Sequence, residues 1–241
     1  MDALPQSRCK GYRVVRSIKK GSLDCGLADS AFARDDRKIM DIIKQENINL
    51  DSVVESLRAG ATLVYPTETC YGLGCDATNQ AAVDRVFAIK ERQKDKPVLV
   101  LMSDVSMCMD YIEWDDIIAK IAEQYWPGPL SVVAWALPHH GLAEGVVSEN
   151  NTLAFRVTDH PLAGELADAL GKPLVSTSAN VSSHESPYDI ESVAAEFAGR
   201  EHQPDMVIDA GVLPHRSPST VVRVKNGNVE VLRQGEIVVK L

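Results

Sequence analysis

The chain has 241 residues and a formal net charge of −9, with 45% hydrophobic and 24% charged residues. That mixture belongs to soluble globular proteins. The acidic balance argues against a large phosphate-backbone footprint, and no apolar run nears the roughly 18 residues that would suggest a membrane span.

The first 20 residues hold Arg8, Lys10, Arg13, Arg16, Lys19 and Lys20 against Asp2 alone. A basic arm and an organelle presequence both fit this pattern. Residues 1–34 show no periodicity, and residues 1–48 are expected to form a partly helical extension. A short helix is expected from about Asp35 to Gln45, with Ile39, Ile42 and Ile43 on one face. Asp51 reads as the N-cap of a second helix carrying Val53, Val54 and Leu57, stopped at Gly60.

ATLVY (61–65) reads as a buried strand. YPTETCYGLGCD follows, with two hydroxyls, a carboxylate and close-set glycines. Pro66 ends or edges the strand because it cannot donate to a ladder. A helix is expected from Gln80 to Arg92, with Ala82, Val86 and Ile89 on one stripe. PVLVLM (97–102) reads as a strand covered on both faces. Helical stretches near 104–111 and 115–125 lead to Trp126-Pro127-Gly128-Pro129. Strands are expected at 130–137 and 152–157, then a helix in HPLAGELADALG closed by Gly171. PLVSTSAN reads as a strand with a polar end. A helix near 189–198 and the strand MVIDAG come next. The strands of STVVRVKNGNVEVLRQG flank Asn226-Gly227, the signature of a type I′ hairpin. The alternation predicts an α/β fold with mixed parallel and antiparallel pairing.

The five cysteines are odd in number and contain no CxxC pair, which fits reduced thiols in a cytosol-like compartment. No Cys/His cluster has zinc-ligand spacing. Four polar clusters instead sit at element ends, where ligand sites of α/β proteins lie. They are Thr67-Glu68-Thr69, Lys90-Glu91-Arg92, Ser176 through Asn180, and Pro218-Ser219-Thr220 with Arg233. Each has a plain structural reading. Lys90 and Arg92 suit a helix C-terminus, Ser178 and Asn180 suit turn caps, and Thr220 suits a strand. Arg156 inside the strand FRV is harder to place, since a buried charge needs a partner. Arginine, lysine and hydroxyls together are what a polyphosphate needs. There is no P-loop motif and no dinucleotide fingerprint.

In this order, YPTETCYGLGCD, the KxR of Lys90-Glu91-Arg92, WPGPLSVV, FRVTDHP, KPLVSTSAN, PSTVV and LRQG resemble the YrdC-like family of threonylcarbamoyl-AMP synthases. The resemblance runs over roughly residues 49–237 and is to the small single-domain form, here with an N-terminal extension. It implies a YrdC-like domain over 49–241, a twisted mixed sheet with flanking helices around a large basic cavity. It implies condensation of L-threonine, bicarbonate and ATP to threonylcarbamoyl-AMP and pyrophosphate, with Mg2+ accompanying the ATP. A separate transferase complex then modifies tRNA. The resemblance places Thr67, Thr69, Arg156, Ser176 and Ser219 at threonine. It places Lys90, Arg92, Thr152, Ser178, Asn180 and Arg233 at ATP, with Lys90 and Arg92 as the catalytic clamp. A cytoplasmic protein with at most weak tRNA contact is expected, and no membrane association. A non-catalytic RNA-binding module, or a carbamoyl-adenylating enzyme with another acceptor, are the alternatives. One departure stands out: Ser183 sits where a glycine commonly follows SANxS.

Overall fold

The computed structural model describes residues 40–240. Strand β1 (Asp41–Lys44) opens the described chain, followed by a 3-10 turn at Gln45–Asn47. This corrects the helix expected over Asp35–Gln45, whose first residues lie outside the described range. Ile42 and Ile43 are β-branched and pair in parallel with a later strand, so sheet pairing overrides a stripe of only three residues.

Helix α1 (Leu50–Arg58) is capped by Asn49, whose side chain accepts from the Ser52 N–H at 3.0 Å. Asp51 is therefore in the first turn and is not the cap. Strands β2 (Leu63–Pro66) and β3 (Tyr71–Gly74) form an antiparallel pair around the TET turn. Helix α2 (Gln80–Ile89) is three residues shorter than expected. Strand β4 (Val100–Met102) begins only after Pro97–Leu99. Helices α3 (Val105–Met109) and α4 (Asp116–Tyr125) are capped by Asp104 and Asp115. Strands β5 (Leu130–Trp135) and β6 (Thr152–Val157) pair antiparallel. Helix α5 (Pro161–Leu170) starts on a proline, where no N–H is needed, and ends on Gly171 in the left-handed region.

PLVSTSAN does not run as one strand. It gives β7 (Leu174–Val175) and β8 (Thr177–Ser178) with Ser176 between them. Helix α6 (Ile190–Phe197), strand β9 (Met206–Asp209) and the hairpin β10 (Thr220–Lys225) and β11 (Asn228–Arg233) complete the chain. Asn226 and Gly227 both take positive φ, 51° and 75°, as a type I′ turn requires.

The strands form two sheets, β1-β9-β2-β3-β8 and β11-β10-β5-β6-β4-β7. Both mix parallel and antiparallel pairs, as expected. The chain passes from the second sheet to the first at Ser176, because β7 pairs with β4 and β8 with β3. One core cluster, around Phe87, Trp126 and Phe155, draws on both sheets, with Val64, Leu73 and Val207 from the five-stranded one. A second joins Leu57, Leu162 and Leu166 of α1 and α5 to Leu63 and Ile208 of the five-stranded sheet and Leu101 and Leu174 of the six-stranded one. Each such side chain contributes about 1.5–3 kcal/mol when fully buried.

Candidate active site

Thr67 organises the turn between β2 and β3. Its hydroxyl donates to the Cys70 carbonyl at 2.7 Å and accepts from the Thr69 and Cys70 N–H groups at 3.2 and 3.3 Å. That leaves Thr69 as donor in the 3.1 Å contact between the two hydroxyls. Alternation then points Glu68 the other way, under the cleft, toward Arg156. The Arg156 Nε lies 2.8 Å from Glu68 Oε1, with both side chains about 95% buried. The N–H is not aimed along that line, so this is an ion pair without a formed hydrogen bond. Thr158 donates to the other carboxylate oxygen at 2.7 Å.

Gly72 brings β3 close to this turn. A Cβ there would stand 3.1 Å from the Thr67 methyl and 3.4 Å from Ser176 Oγ. At Gly74 a Cβ would fall 1.9 Å from the Val175 carbonyl, a backbone collision. The glycines therefore let three backbone segments meet at the Ser176 crossing.

The KxR segment is a helix terminus of specific geometry. The Arg92 N–H reaches the Phe87 carbonyl and the Glu91 N–H that of Ala88, a Schellman motif. Glu91 occupies the left-handed position with φ 49°. The reversal sends Lys90 and Arg92 in different directions. Lys90 is buried, and its ammonium donates to the carbonyls of Ser178 and Asn180 and, at 3.3 Å, to Asn180 Oδ1. Burial, with Arg92 adding repulsion, lowers its pKa to about 8. It remains protonated at neutral pH, and each of its three protons has an acceptor in the chain. Arg92 donates to the Lys96 and Pro97 carbonyls at 2.8 and 3.0 Å. Burial holds it below the usual arginine range.

Two adjoining cavities result. The first, about 460 Å³, is walled by Thr67, Thr69, Arg92, Arg156, Ser176, Ser178, Ser219 and Arg233, among others. The second, about 560 Å³, is walled by Lys90, Arg92, Lys96, Ser178, Asn180 and Ser182. Arg92, Ser178 and Ser186 belong to both walls. Both volumes fall in the roughly 300–1,000 Å³ range of ligand sites. Arg233 reaches back from the hairpin to Ser219, with two bonds to its carbonyl and one to its hydroxyl at 2.9 Å. Ser131 supports that hydroxyl at 3.0 Å. Burial, and then Arg156, hold Arg233 below the usual range.

Ten of the eleven expected site residues thus meet at the two cavities. Thr152 lines neither of these two cavities: it opens β6 two residues before Ala154, which lines the first, and bonds Ser148 through its hydroxyl at 2.8 Å. Sequence reasoning passed over Glu68 as a partner for Arg156, although alternation was a signal for it. It also passed over Arg216 and Tyr188, which line the first cavity. Tyr188 stacks on His215 at 3.9 Å and donates to the Arg216 carbonyl. No spacing rule ties residues 188 and 216. The first cavity has four arginines and, among its described lining residues, no carboxylate.

The Ser178–His184 loop closes the second cavity. Asn180 donates to the His184 carbonyl, and Glu196 accepts from the Val181 N–H and contacts the His184 ring, both at 2.9 Å. Ser183 takes φ 75°. The loop thus keeps at Ser183 a conformation that favours glycine. Among the described residues no group of His, Cys, Asp and Glu is placed to hold a metal, and no helix is long and apolar enough to cross a membrane. Cys70, Cys75 and Cys108 are free thiols.

The profile of the Sua5/YciO/YrdC family, described as "Telomere recombination", matches residues 55–235. The chain is 37% identical over 184 residues to a threonylcarbamoyl-AMP synthase of Pseudomonas fluorescens, covering 75% of this chain and 95% of that one. It is 34% identical over 177 residues to the synthase of Vibrio vulnificus, covering 67% and 94%. Among solved structures it is similar to P. abyssi Sua5 complexed with L-threonine, with TM-score 0.72 and 27% identity over 82% of this chain. It spans only 57% of that longer protein. It is similar to E. coli YciO with TM-score 0.71 and 25% identity, covering 83% of this chain and 96% of that one. Profile match, relatives and solved structures agree, and the chain belongs to the Sua5/YciO/YrdC family.

Proposed function

We propose that this protein is an L-threonylcarbamoyladenylate synthase acting in the cytosol. One observation carries the reading: a cavity walled by four arginines and by hydroxyls, with no carboxylate among its described lining residues, in a chain similar to synthases along most of their length. In the reaction, the threonine amine attacks bicarbonate and water leaves, giving a carbamate. A carbamate oxygen then attacks the α-phosphorus of ATP and pyrophosphate departs. The product serves a separate transferase that modifies tRNA.

Arg156 takes the threonine carboxylate, with Thr67, Thr69 and Ser176 beside it. Arg92, Arg233 and Ser219 line the approach to the α-phosphorus, where fixed cations stabilise developing charge. Lys90 contributes charge to the second cavity and holds the Ser178–Asn180 turn in place for the nucleotide. The wall fits magnesium that arrives on the triphosphate, which keeps waters and phosphate oxygens as ligands. No covalent nucleophile is required. Holding three reactants in line supplies about 7–11 kcal/mol of the barrier.

Pyrophosphate release by the full chain tests this, with ATP, magnesium, L-threonine and bicarbonate together and each omitted in turn. Release that requires all of them is expected. Release without threonine moves the reading to another acceptor. ATP binding with no release moves it to a binding module.

A further inference from the structure

The cavity's four arginines are not equivalent. Arg156 is neutralised by Glu68 at 2.8 Å, and both side chains are buried. Arg92 and Arg233 spend their bonds on backbone carbonyls and a serine hydroxyl. Among the described residues no carboxylate pairs with Arg92, Arg216 or Arg233. Among the described residues Arg156 is therefore the one arginine of the wall with a carboxylate at ion-pair distance, although its charge still reaches Arg233 and Asp95 acts on Arg92 from farther off.

Glu68 is itself fixed from two sides. Thr158 holds one carboxylate oxygen, and the His160 N–H bonds the Thr158 hydroxyl at 3.2 Å. Arg156 stands with its Nε 2.8 Å from Glu68, and its Nη nitrogens find no acceptor among the described residues while the residue lines the cavity. The ion pair keeps the guanidinium at the cavity wall while leaving its Nη nitrogens open to a carboxylate.

We propose that Glu68 is a specificity-determining residue. Its buried pairing with Arg156 lowers the positive charge where Arg156 lines the cavity, so that stretch of wall accepts a zwitterionic α-amino acid and rejects phosphate. Arg92, Arg216 and Arg233, with no described carboxylate at ion-pair distance, draw the polyphosphate. A zwitterion brings no net charge and needs only an oriented donor pair for its carboxylate. A phosphate dianion needs net positive charge, which Glu68 lowers there. This inference rests on the synthase reading for the identity of the amino acid, but the charge difference stands on geometry alone.

The test is Glu68→Gln in the full chain, with melting curves confirming a folded protein. The KM for threonine is expected to rise about tenfold or more, the loss of one charge-assisted contact. The KM for ATP is expected to stay within about threefold, below one such contact. Inorganic phosphate is expected to become competitive with threonine and to bind about tenfold tighter than to the unaltered protein. A purely structural role for Glu68 would not produce phosphate competition. Unchanged phosphate inhibition, or a lower kcat at constant KM, overturns the proposal.

Thr158→Val is the second variant, used where Glu68→Gln does not fold. It frees Glu68 but keeps its charge. A raised threonine KM without new phosphate competition supports the proposal, and an unchanged KM overturns it. Calorimetry with inorganic phosphate separates the two readings. If the unaltered protein releases no pyrophosphate, the synthase reading fails. Tighter phosphate binding by Glu68→Gln still upholds the charge difference, and equal binding ends it.

Discussion

Two loops face each other across the cleft and are held in opposite ways. The backbone of the Thr67–Cys70 turn closes on itself, through hydrogen bonds spanning at most three residues, and its Glu68 side chain is held from afar. The Ser178–His184 loop is held from a distance, by Lys90 and Glu196. A self-closed loop survives changes elsewhere, whereas an imported anchor couples the loop to the helix that carries it. The backbone of the wall proposed for threonine is thus built locally, and the wall proposed for the nucleotide depends on the end of α2.

Lys90→Ala breaks the imported side and should have the largest effect. The buried Asn180 carbonyl loses its donor, at about 1–3 kcal/mol, and the half-buried Ser178 carbonyl loses its own at less. Pyrophosphate release should fall by about 100-fold or more, the scale seen when a preorganised donor is lost. A folded variant with normal turnover would sink the role given to Lys90. Gly74→Ala tests the crossing beneath both loops. Its Cβ meets the Val175 carbonyl, and overpacking of this kind costs about 1–3 kcal/mol. A lowered Tm is the readout.

Thr67→Val breaks the local side. It should cost about 1–2 kcal/mol and raise the KM for threonine more than that for ATP. Ser183→Gly sharpens the contrast with the smallest change. Relief of a left-handed serine, less the added freedom of glycine, should raise stability by about 0.5–1 kcal/mol, read in urea.

The two sides should also differ in pH dependence. Lys90 has a folded pKa near 8, below that of an unfolded lysine. Its charge therefore opposes folding at neutral pH, and this penalty fades as pH rises from 8 toward the unfolded value. Activity should move the other way. Loss of the Lys90 proton weakens the anchor, so the rate should fall on the alkaline side with a midpoint near 8. Lys90→Arg, which stays charged, should remove that limb if it retains activity.

Much of this was legible where the chain is governed locally. Asn226-Gly227 declared its hairpin because few residues accept two positive φ values. Arg156 declared itself as a charge in an apolar strand. The polar clusters marked the cleft because they lie at element ends. Glu68 was less legible, since its partner is 88 positions away and only alternation hinted at its direction. The Schellman ending at Glu91 was hidden because the left-handed residue is not a glycine. Asp41–Lys44 read as helix because three isoleucines satisfy both periods, and only the partner strand β9 decides between them. The break at Ser176 left no mark, because PLVSTSAN has the composition of one continuous strand.

That break has a mechanical consequence. Residues 174–178 are a covalent tie between two sheets that also share both hydrophobic clusters, and the cleft lies at the tie. Neither sheet can open without pulling on Ser176 and its neighbours. The cleft therefore reports the integrity of both halves at once. A lesion deep in either cluster should therefore be felt at the cleft without touching any residue that lines it.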